Sequence, residues 1–78
     1  MKTAYVVSTQ FTDAARWDGV LHKDAALDGH YFFAVITTGI YCRPSCPSRT
    51  PKRINVRFYD STAAARADGF RACLRCAP

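Results

Sequence analysis

Residues 42–46 read CRPSC and contain two closely spaced cysteines. Residues 73–76, CLRC, supply a second such pair, and the two pairs together decide the fold. Each stretch places two thiolates on one tight turn, here called a knuckle. A Zn²⁺ ion prefers four such ligands in a tetrahedron, and two knuckles that face each other meet that demand with little strain. We therefore predict one zinc site with four ligands: Cys42, Cys46, Cys73 and Cys76.

Two disulfide bridges in a secreted protein are the alternative interpretation of four cysteines in a short chain. The start of the chain argues against secretion, because the apolar run of residues 4–7 is interrupted by the polar residues 8–10. Such a run is too short for a signal peptide or a membrane span. We therefore expect a reducing, cytoplasmic setting, no contact with a membrane and thiolates that bind a metal ion.

Charge is distributed unevenly along the chain and changes at the first cysteine. Residues 1–42 carry three basic and four acidic side chains, whereas residues 43–78 carry eight basic and two acidic ones. A basic segment that encloses the metal site suits a polyanion, and nucleic acid is the first candidate. Scattered arginines that only keep the protein soluble are the alternative interpretation.

The predicted fold is a small α+β domain that zinc stabilises, with a short sheet, an N-terminal helix and a short second helix before the last knuckle. A chain of 78 residues lies near the lower limit at which an apolar core holds a fold unaided. A structural metal relieves that shortage. We expect one domain over residues 11–78, preceded by a flexible N-terminus of residues 1–10.

Local signals mark the ends of both predicted helices. Thr12 or Asp13 can cap the first helix, which ends before the turn at residues 28–29. Three apolar side chains at helical spacing form its predicted buried face: Trp17, Val20 and Leu21. Ser61 can cap the second, alanine-rich helix, and Gly69 can end it, with Phe70 folding back as a hydrophobic contact.

Strand signals occupy the middle of the chain. Residues 31–36 are too continuously apolar for a strand that is wetted on one face, so we expect both faces to be covered. Residues 40–42 deliver the first knuckle from the end of that strand, and residues 56–59 form a second strand. Three prolines in residues 43–53 exclude a regular helix or a central strand there and predict an exposed basic loop.

A closed Cys₄ zinc site is usually structural, because catalytic zinc normally keeps an open position for water or substrate. The exception is a site in which a ligand thiolate itself attacks the substrate. Four thiolates on one Zn²⁺ ion leave two net negative charges, which makes the sulfurs nucleophilic while they remain unprotonated at neutral pH. Spacing alone does not choose among the four cysteines.

Residues 37–46, TTGIYCRPSC, and residues 69–76, GFRACLRC, resemble the N-terminal domain of the Ada proteins. Shorter motifs between residues 16 and 76 extend the resemblance: Arg16-Trp17, Lys23-Asp24, Asp28-Gly29, Phe33-Ala34-Val35 and Asn55-Val56. The resemblance implies a bacterial repair domain that removes the methyl group of methylphosphotriesters in double-stranded DNA. It also implies that Cys42 accepts the methyl group in a stoichiometric, self-inactivating transfer, with the other three cysteines completing the zinc site.

In the family, the methylated form activates transcription of alkylation-response genes. Loss of one thiolate charge at Cys42 is expected to raise the affinity for DNA phosphates. Activation needs a further DNA-binding region, and residues 1–78 contain neither a helix-turn-helix segment nor a second reactive-cysteine motif. We therefore expect an excised domain or a small stand-alone repair protein, monomeric in the bacterial cytoplasm and associated with the nucleoid when bound to DNA.

Six positions are candidates for contact with DNA. Thr38 and Arg49 match family positions that contact the DNA backbone. Arg43 follows the acceptor and either stabilises the departing phosphate or is a knuckle residue exposed to solvent. Charge and proximity to the knuckles add three further candidates: Lys52, Arg53 and Arg71.

Other conspicuous side chains are expected to serve the fold or the surface. The larger aromatic residues are predicted to pack in the core rather than stack on bases: Trp17, Tyr31, Phe32, Phe33, Tyr41 and Phe58. His22 and His30 lie outside any ligand spacing and are predicted to be surface residues.

Four positions depart from the usual family pattern. Ala72 and Leu74 stand where a proline and a lysine are common, and Ile36 stands where a basic residue can occur. Ile54 replaces a common acidic residue, which would remove a buried polar partner of a neighbouring arginine. Fewer cations near the metal are expected to weaken DNA affinity.

Two functions of different classes follow from the sequence. One is a sacrificial methyltransferase with Cys42 as acceptor. The other is a zinc-stabilised DNA-binding module in which all four thiolates are purely structural. Both predict zinc, a basic surface and DNA binding that weakens with salt, so methylation of Cys42 is what distinguishes them.

Overall fold

The computed structural model describes residues 12–78, and the predicted flexibility of residues 1–10 lies outside this range. The helices of the described range are α1 (Asp13–Leu21), α2 (Thr62–Ala67) and the short 3₁₀ helices Ala25–Leu27 and Arg53–Asn55. The strands are β1 (Phe32–Val35), β2 (Ile40–Cys42), β3 (Val56–Tyr59) and β4 (Arg71–Ala72). Among the described residues, no helix has the length and apolar character needed to cross a membrane.

The four strands form one sheet in the order β3-β1-β2-β4. Strand β1 is antiparallel to both of its neighbours, whereas β4 runs parallel to β2. The prediction that residues 40–42 lie at the end of the strand of residues 31–36 is wrong, because a turn over residues 36–39 reverses the chain and makes β2 a separate strand. Strand β4 has only two residues, and no sequence signal predicted it. The sheet brings the end of β2, and with it Cys42, beside the chain that leads to Cys73.

Both faces of the sheet are covered, as predicted for the continuously apolar β1. Phe33 belongs to the core cluster on one face, together with all four cysteines and Val20 of α1. Ala34, the next residue, belongs to a second cluster on the opposite face, where Ala65 of α2 packs against Tyr41. Alternation along one strand therefore places the metal site and α1 on one side of the sheet and α2 on the other.

Helix α1 begins as predicted, since the Thr12 hydroxyl accepts a hydrogen bond from the Ala15 N–H at 3.3 Å. Its buried face differs from the prediction at one position. Val20 is buried and Trp17 packs against the core, but Leu21 is 49% exposed. The other buried residue of the helix is Gly19, so the helix contacts the core through Gly19 and Val20 and not through Leu21.

Gly19 permits a close approach between α1 and the following strand. The Tyr31 hydroxyl donates a hydrogen bond to the Arg16 carbonyl at 2.9 Å, and a Cβ at position 19 would clash with that hydroxyl and with Leu27. We expect Gly19→Ala to lower the free energy of unfolding by about 1–2 kcal/mol, since overpacking costs more than alanine gains in helix propensity. Urea denaturation of the zinc-loaded protein measures this change.

A control for this substitution isolates the propensity contribution. Ala14→Gly, at an exposed position of the same helix, reports that contribution without any clash. An increase in stability for Gly19→Ala would show that the contact with Tyr31 rearranges at no cost.

Helix α2 follows its sequence signals throughout. The Ser61 hydroxyl accepts a hydrogen bond from the Ala64 N–H at 3.1 Å. Gly69 adopts a positive φ of 93°, and the Phe70 N–H then donates to the Ala65 carbonyl at 3.1 Å. Phe70 packs against the cluster on this face, so the predicted hydrophobic contact after the helix is confirmed.

The proline-rich segment between β2 and the second 3₁₀ helix contains no helix or strand, as predicted. It is less exposed than expected, because Pro44 and Cys46 are buried. The two knuckle cysteines hold this part of the loop against the core, while Arg49 and Lys52 remain exposed.

Candidate metal centre

The four predicted ligands converge on one point in the core. All four cysteines are buried, and their Sγ atoms all lie within 4.8 Å of one another. A tetrahedral Zn²⁺ ion with Zn–S bonds near 2.3 Å needs sulfurs about 3.8 Å apart, so a small contraction closes the site. The cysteines are free thiols and form no disulfide, and neither His22 nor His30 belongs to the cluster.

The first knuckle grows directly out of the sheet. Cys42 is the last residue of β2 and lies opposite Phe33 of β1. The chain then turns, and the Cys46 N–H donates a hydrogen bond to the Arg43 carbonyl at 3.0 Å. Pro44 occupies the second position of this four-residue turn, which its fixed φ suits, and the reversal of the chain returns the second thiol to the first.

The second knuckle is aligned by the same sheet. The Cys73 N–H donates to the Tyr41 carbonyl at 3.0 Å, which extends the β2–β4 pairing by one residue. The Ala77 N–H donates to the Cys73 carbonyl at 3.0 Å and closes the turn that carries Cys76. Two adjacent strand ends therefore deliver two ligands each to one centre.

Burial opposes ionisation of two of the four thiols of the metal-free site. Burial raises the pKa of Cys42 far above its ordinary value, and burial raises the pKa of Cys76 to about 11. Burial also raises the pKa of Cys73, but the N–H groups of Cys76 and Arg75 outweigh that effect and lower it to about 7. A cation that binds here must displace protons from the buried thiols, as zinc does in thiolate sites.

A cavity of about 300 Å³ lies beside the sulfur cluster. Three of the cysteines contribute to its wall, and Cys76 does not. Apolar side chains form much of the remaining wall: Phe33, Val35, Ile40 and Pro51. Thr38 and Arg49 also line the cavity, so two of the six predicted DNA contacts lie next to the predicted acceptor Cys42.

The other four predicted contacts lie outside the lining of this cavity. Lys52 and Arg71 are exposed. Arg43 is half-buried, with its Nε 3.9 Å from the Asp28 carboxylate. That Nε is buried and finds no hydrogen-bond partner within residues 12–78, so this side chain is only partly solvated.

Arg53 has structural contacts of its own. Its guanidinium lies over the rings of Trp17 and Phe58, at 5.9 and 5.2 Å from their centres. It also donates a hydrogen bond to the Val56 carbonyl at 3.1 Å and pairs with Asp13 at 3.8 Å. These contacts join α1 to β3, and they leave less of the side chain for a phosphate than the charge alone suggests.

The departures from the family pattern lie at the surface. Ile36 is 46% exposed, Ile54 is 82% exposed and Leu74 is 98% exposed. The expectation that Ile54 removes a buried polar partner is wrong, because a side chain at this position projects into solvent. Exposed residues of this kind change the surface charge and leave the core intact.

Sequence reasoning placed Lys23 and Asp28 in short motifs of the family resemblance but assigned neither a role at the metal centre, where both contact the first knuckle. The Lys23 ammonium donates to the carbonyls of Cys46 and Ser48, and the Asp28 carboxylate accepts from Ser45. No local signal predicts these contacts, because 17 to 25 residues separate the partners.

A four-stranded sheet that ends in two cysteine knuckles defines a small Cys₄ zinc domain. Residues 15–78 match the family model described as the metal binding domain of Ada, and the chain belongs to this family. Zinc is therefore the ion of this site, held by all four cysteines.

Relatives of this chain are bacterial and much longer. The bifunctional transcriptional activator/DNA repair enzyme Ada of Escherichia coli is 52% identical over 71 residues, which cover 91% of this chain and 20% of the relative. The bifunctional activator and repair enzyme AdaA of Bacillus subtilis is 44% identical over 63 residues, which cover 81% and 30%. The chain thus spans less than a third of the length of these two relatives.

Solved structures share the fold. The crystal structure of a methylated N-Ada/DNA complex matches with a TM-score of 0.86 and 51% identity, covering 87% of this chain and 52% of that one. The refined structure of the DNA methyl phosphotriester repair domain of Escherichia coli Ada matches with a TM-score of 0.79 and 53% identity, covering 87% and 74%. The predicted α+β fold is confirmed.

Proposed function

We propose that residues 11–78 form a methyl-acceptor domain that repairs methylphosphotriesters in double-stranded DNA by irreversible transfer of the methyl group to Cys42. The observation that carries this proposal is the cavity beside the sulfur cluster, because a purely structural zinc site needs no opening onto its ligands. Thr38 and Arg49 on the same wall offer a hydroxyl and a cation to a phosphate. Relatives that are named as DNA repair enzymes and a solved DNA complex add support.

The chemistry of the transfer is a single displacement. The Cys42 sulfur attacks the methyl carbon in line with the ester oxygen, a C–S bond forms and the C–O bond breaks. The electron pair of that bond leaves with the oxygen, so the other product is an ordinary phosphodiester anion. Bound zinc would supply a thiolate that stays unprotonated at neutral pH. The reaction then needs no general base.

Cationic side chains divide into two proposed roles. Arg49, at the cavity, stabilises charge on the phosphate that departs from the methyl group. Arg43, beside the acceptor in sequence, supports the same phosphate from the knuckle. Lys52, Arg53 and Arg71 contribute contacts to neighbouring backbone phosphates, which position the duplex without reading its sequence.

Methylation is expected to act as an electrostatic switch. The thioether carries no charge, so the centre changes from two net negative charges to one. Removing one unit charge at about 5 Å from a phosphate is worth roughly 3 kcal/mol at an effective dielectric near 20. Screening reduces this value, yet about 1.4 kcal/mol already raises DNA affinity tenfold. In a longer protein, such tightening would activate transcription of alkylation-response genes.

The setting of this reaction is proposed from the same considerations. A reducing bacterial cytoplasm keeps the four thiols available for zinc. We infer a monomer that associates with the nucleoid when it is bound to DNA.

Mass spectrometry of the zinc-loaded protein after incubation with DNA that carries one methylphosphotriester of defined stereochemistry tests the proposal. We expect one diastereomer to add a single methyl group, confined to the peptide that contains Cys42, with one equivalent transferred per protein. Unmodified DNA of the same sequence is the control. If both diastereomers leave the protein mass unchanged while zinc stays bound, the chain is a zinc-stabilised DNA-binding module with a structural Cys₄ site.

A further inference from the structure

The connection between α1 and β1 supplies two charged side chains that hold the first knuckle. The Lys23 ammonium donates to the carbonyl of Cys46 at 3.0 Å and to the carbonyl of Ser48 at 2.7 Å. The Asp28 carboxylate accepts one hydrogen bond from the Ser45 N–H at 3.1 Å and a second from the Ser45 hydroxyl. Four hydrogen bonds from two side chains therefore fix residues 45–48.

Lys23 stands at a position where the backbone itself disfavours lysine. Its φ is 49°, in the left-handed region that follows many helix C-termini and that glycine ordinarily occupies. The backbone turn itself is held by two hydrogen bonds, from the Lys23 N–H to the Val20 carbonyl at 3.2 Å and from the Asp24 N–H to the Gly19 carbonyl at 3.1 Å. Glycine would form this turn without strain. A lysine here is therefore best explained by the two carbonyls that its ammonium reaches.

The segment that these side chains hold connects the metal centre to the cavity. Cys46 is a zinc ligand that lines the cavity, and Ser48 and Arg49, which follow it closely in the chain, also line the cavity. The Lys23 ammonium also places a positive charge beside a centre with excess negative charge. Mutation of the groups that orient the ligands of a metal site typically lowers metal affinity or activity by about 10- to 100-fold.

We propose that Lys23 and Asp28 are positioning residues that hold the first knuckle in its ligating arrangement and keep Arg49 at the cavity. Their effect on zinc retention stands independently of the reaction, whereas their effect on the rate of methyl transfer rests on the proposed function.

The test at Lys23 compares three substitutions in the zinc-loaded protein. Lys23→Met keeps the length of the side chain and removes the ammonium, whereas Lys23→Arg keeps donors that reach both carbonyls. We expect Lys23→Met to release zinc to an excess of a chromogenic chelator about 10- to 100-fold faster than the wild type. Lys23→Arg is expected to restore most of the wild-type rate.

Lys23→Gly separates positioning from general stability. Glycine removes the side chain but relieves the backbone strain, so its thermal midpoint is expected to exceed that of Lys23→Met. Zinc release is nevertheless expected to be as fast as in Lys23→Met. If the release rates of the three variants instead follow their thermal midpoints, or if none differs from the wild type, the positioning role is wrong.

Asp28 has a matched control on the same part of the chain. Asp28→Ala removes the carboxylate that accepts both hydrogen bonds from Ser45. Asp18→Ala removes an equal charge from an exposed carboxylate that lies 3.4 Å from the His22 ring. We expect Asp28→Ala to accelerate zinc release about tenfold or more and Asp18→Ala to leave it unchanged. Equal effects of the two substitutions would overturn the proposed role of Asp28.

Single-turnover methyl transfer at saturating zinc completes the test. We expect the rate to fall about tenfold or more in Lys23→Met and to recover in Lys23→Arg. A wild-type protein that transfers no methyl group would refute the proposed function, while the zinc-release rates still decide the positioning role. If the wild type transfers the methyl group and Lys23→Met transfers it at the same rate, the two residues act only in zinc retention. That result would refute the proposal that they keep Arg49 at the cavity.

Discussion

Cys42→Ser is expected to abolish methyl transfer, with a rate at least about 10⁴-fold below that of the wild type. A serine hydroxyl stays protonated at neutral pH, and its oxygen is a harder and weaker nucleophile than a thiolate toward a methyl carbon. The loss is large because displacement at the methyl group depends on a single atom of the protein. Intact-mass spectrometry at saturating zinc, with the DNA that carries a methylphosphotriester, measures the effect.

Cys76→Ser is the matched control for this prediction. It also removes one thiolate from the zinc site, but Cys76 does not line the cavity that reaches Cys42. We expect both variants to bind zinc more weakly and only Cys76→Ser to accept a methyl group when zinc is restored. A methyl group on the Cys42→Ser protein, carried by Cys46 or Cys73 at the same cavity, would assign the acceptor to another thiolate.

Removal of zinc is expected to unfold the domain. The four cysteines make up more than half of the seven buried residues in the larger core cluster, alongside Val20, Phe33 and Val56. Structural zinc in small domains contributes about 10–16 kcal/mol of apparent binding free energy, whereas a domain of this size is stable by only about 5–15 kcal/mol. We expect chelation to remove the cooperative thermal transition seen by circular dichroism and readdition of zinc to restore it. A cooperative transition in the metal-free protein would contradict this prediction.

Zinc affinity is expected to fall as the pH falls. Thiols of an unfolded, metal-free chain are mostly protonated at neutral pH, and in the folded arrangement burial raises the pKa of Cys42 and Cys76 further. Zinc must therefore displace protons from at least these two sulfurs. Below about pH 7, protons also compete with zinc for the Cys73 sulfur, whose pKa is about 7. Release of at least two protons lowers the apparent affinity about a hundredfold per pH unit near neutrality. Chelator competition across this range gives the slope, and a slope near zero would show that the thiols ionise before zinc binds.

Features that depend on neighbouring residues could be predicted from the sequence. Thr12 and Ser61 cap the two helices as expected, and Gly69 ends the second one. Each of these signals acts within a few residues, so the local chain contains all the information that it needs. The continuously apolar β1 likewise predicted a strand that is covered on both faces.

Features that depend on packing departed from the prediction. Leu21 is exposed although its spacing places it beside Trp17 and Val20, because Gly19 and Val20 are the residues of this helix that face the core. Pro44 is buried although it lies in a proline-rich loop, because the ligands on either side of it draw the knuckle into the core.

The sequence by itself determined the metal centre, because residue type and spacing set how many thiolates a pair of knuckles offers and which ion prefers them. The identity of the acceptor came from a family resemblance, since all four cysteines are chemically alike in the sequence. Only the tertiary structure decided which sulfurs face the cavity, where Arg49 lies and how Lys23 and Asp28 reach the first knuckle. These arrangements arise between residues far apart in the chain, and the packing of β1, β2 and α1 alone brings them together.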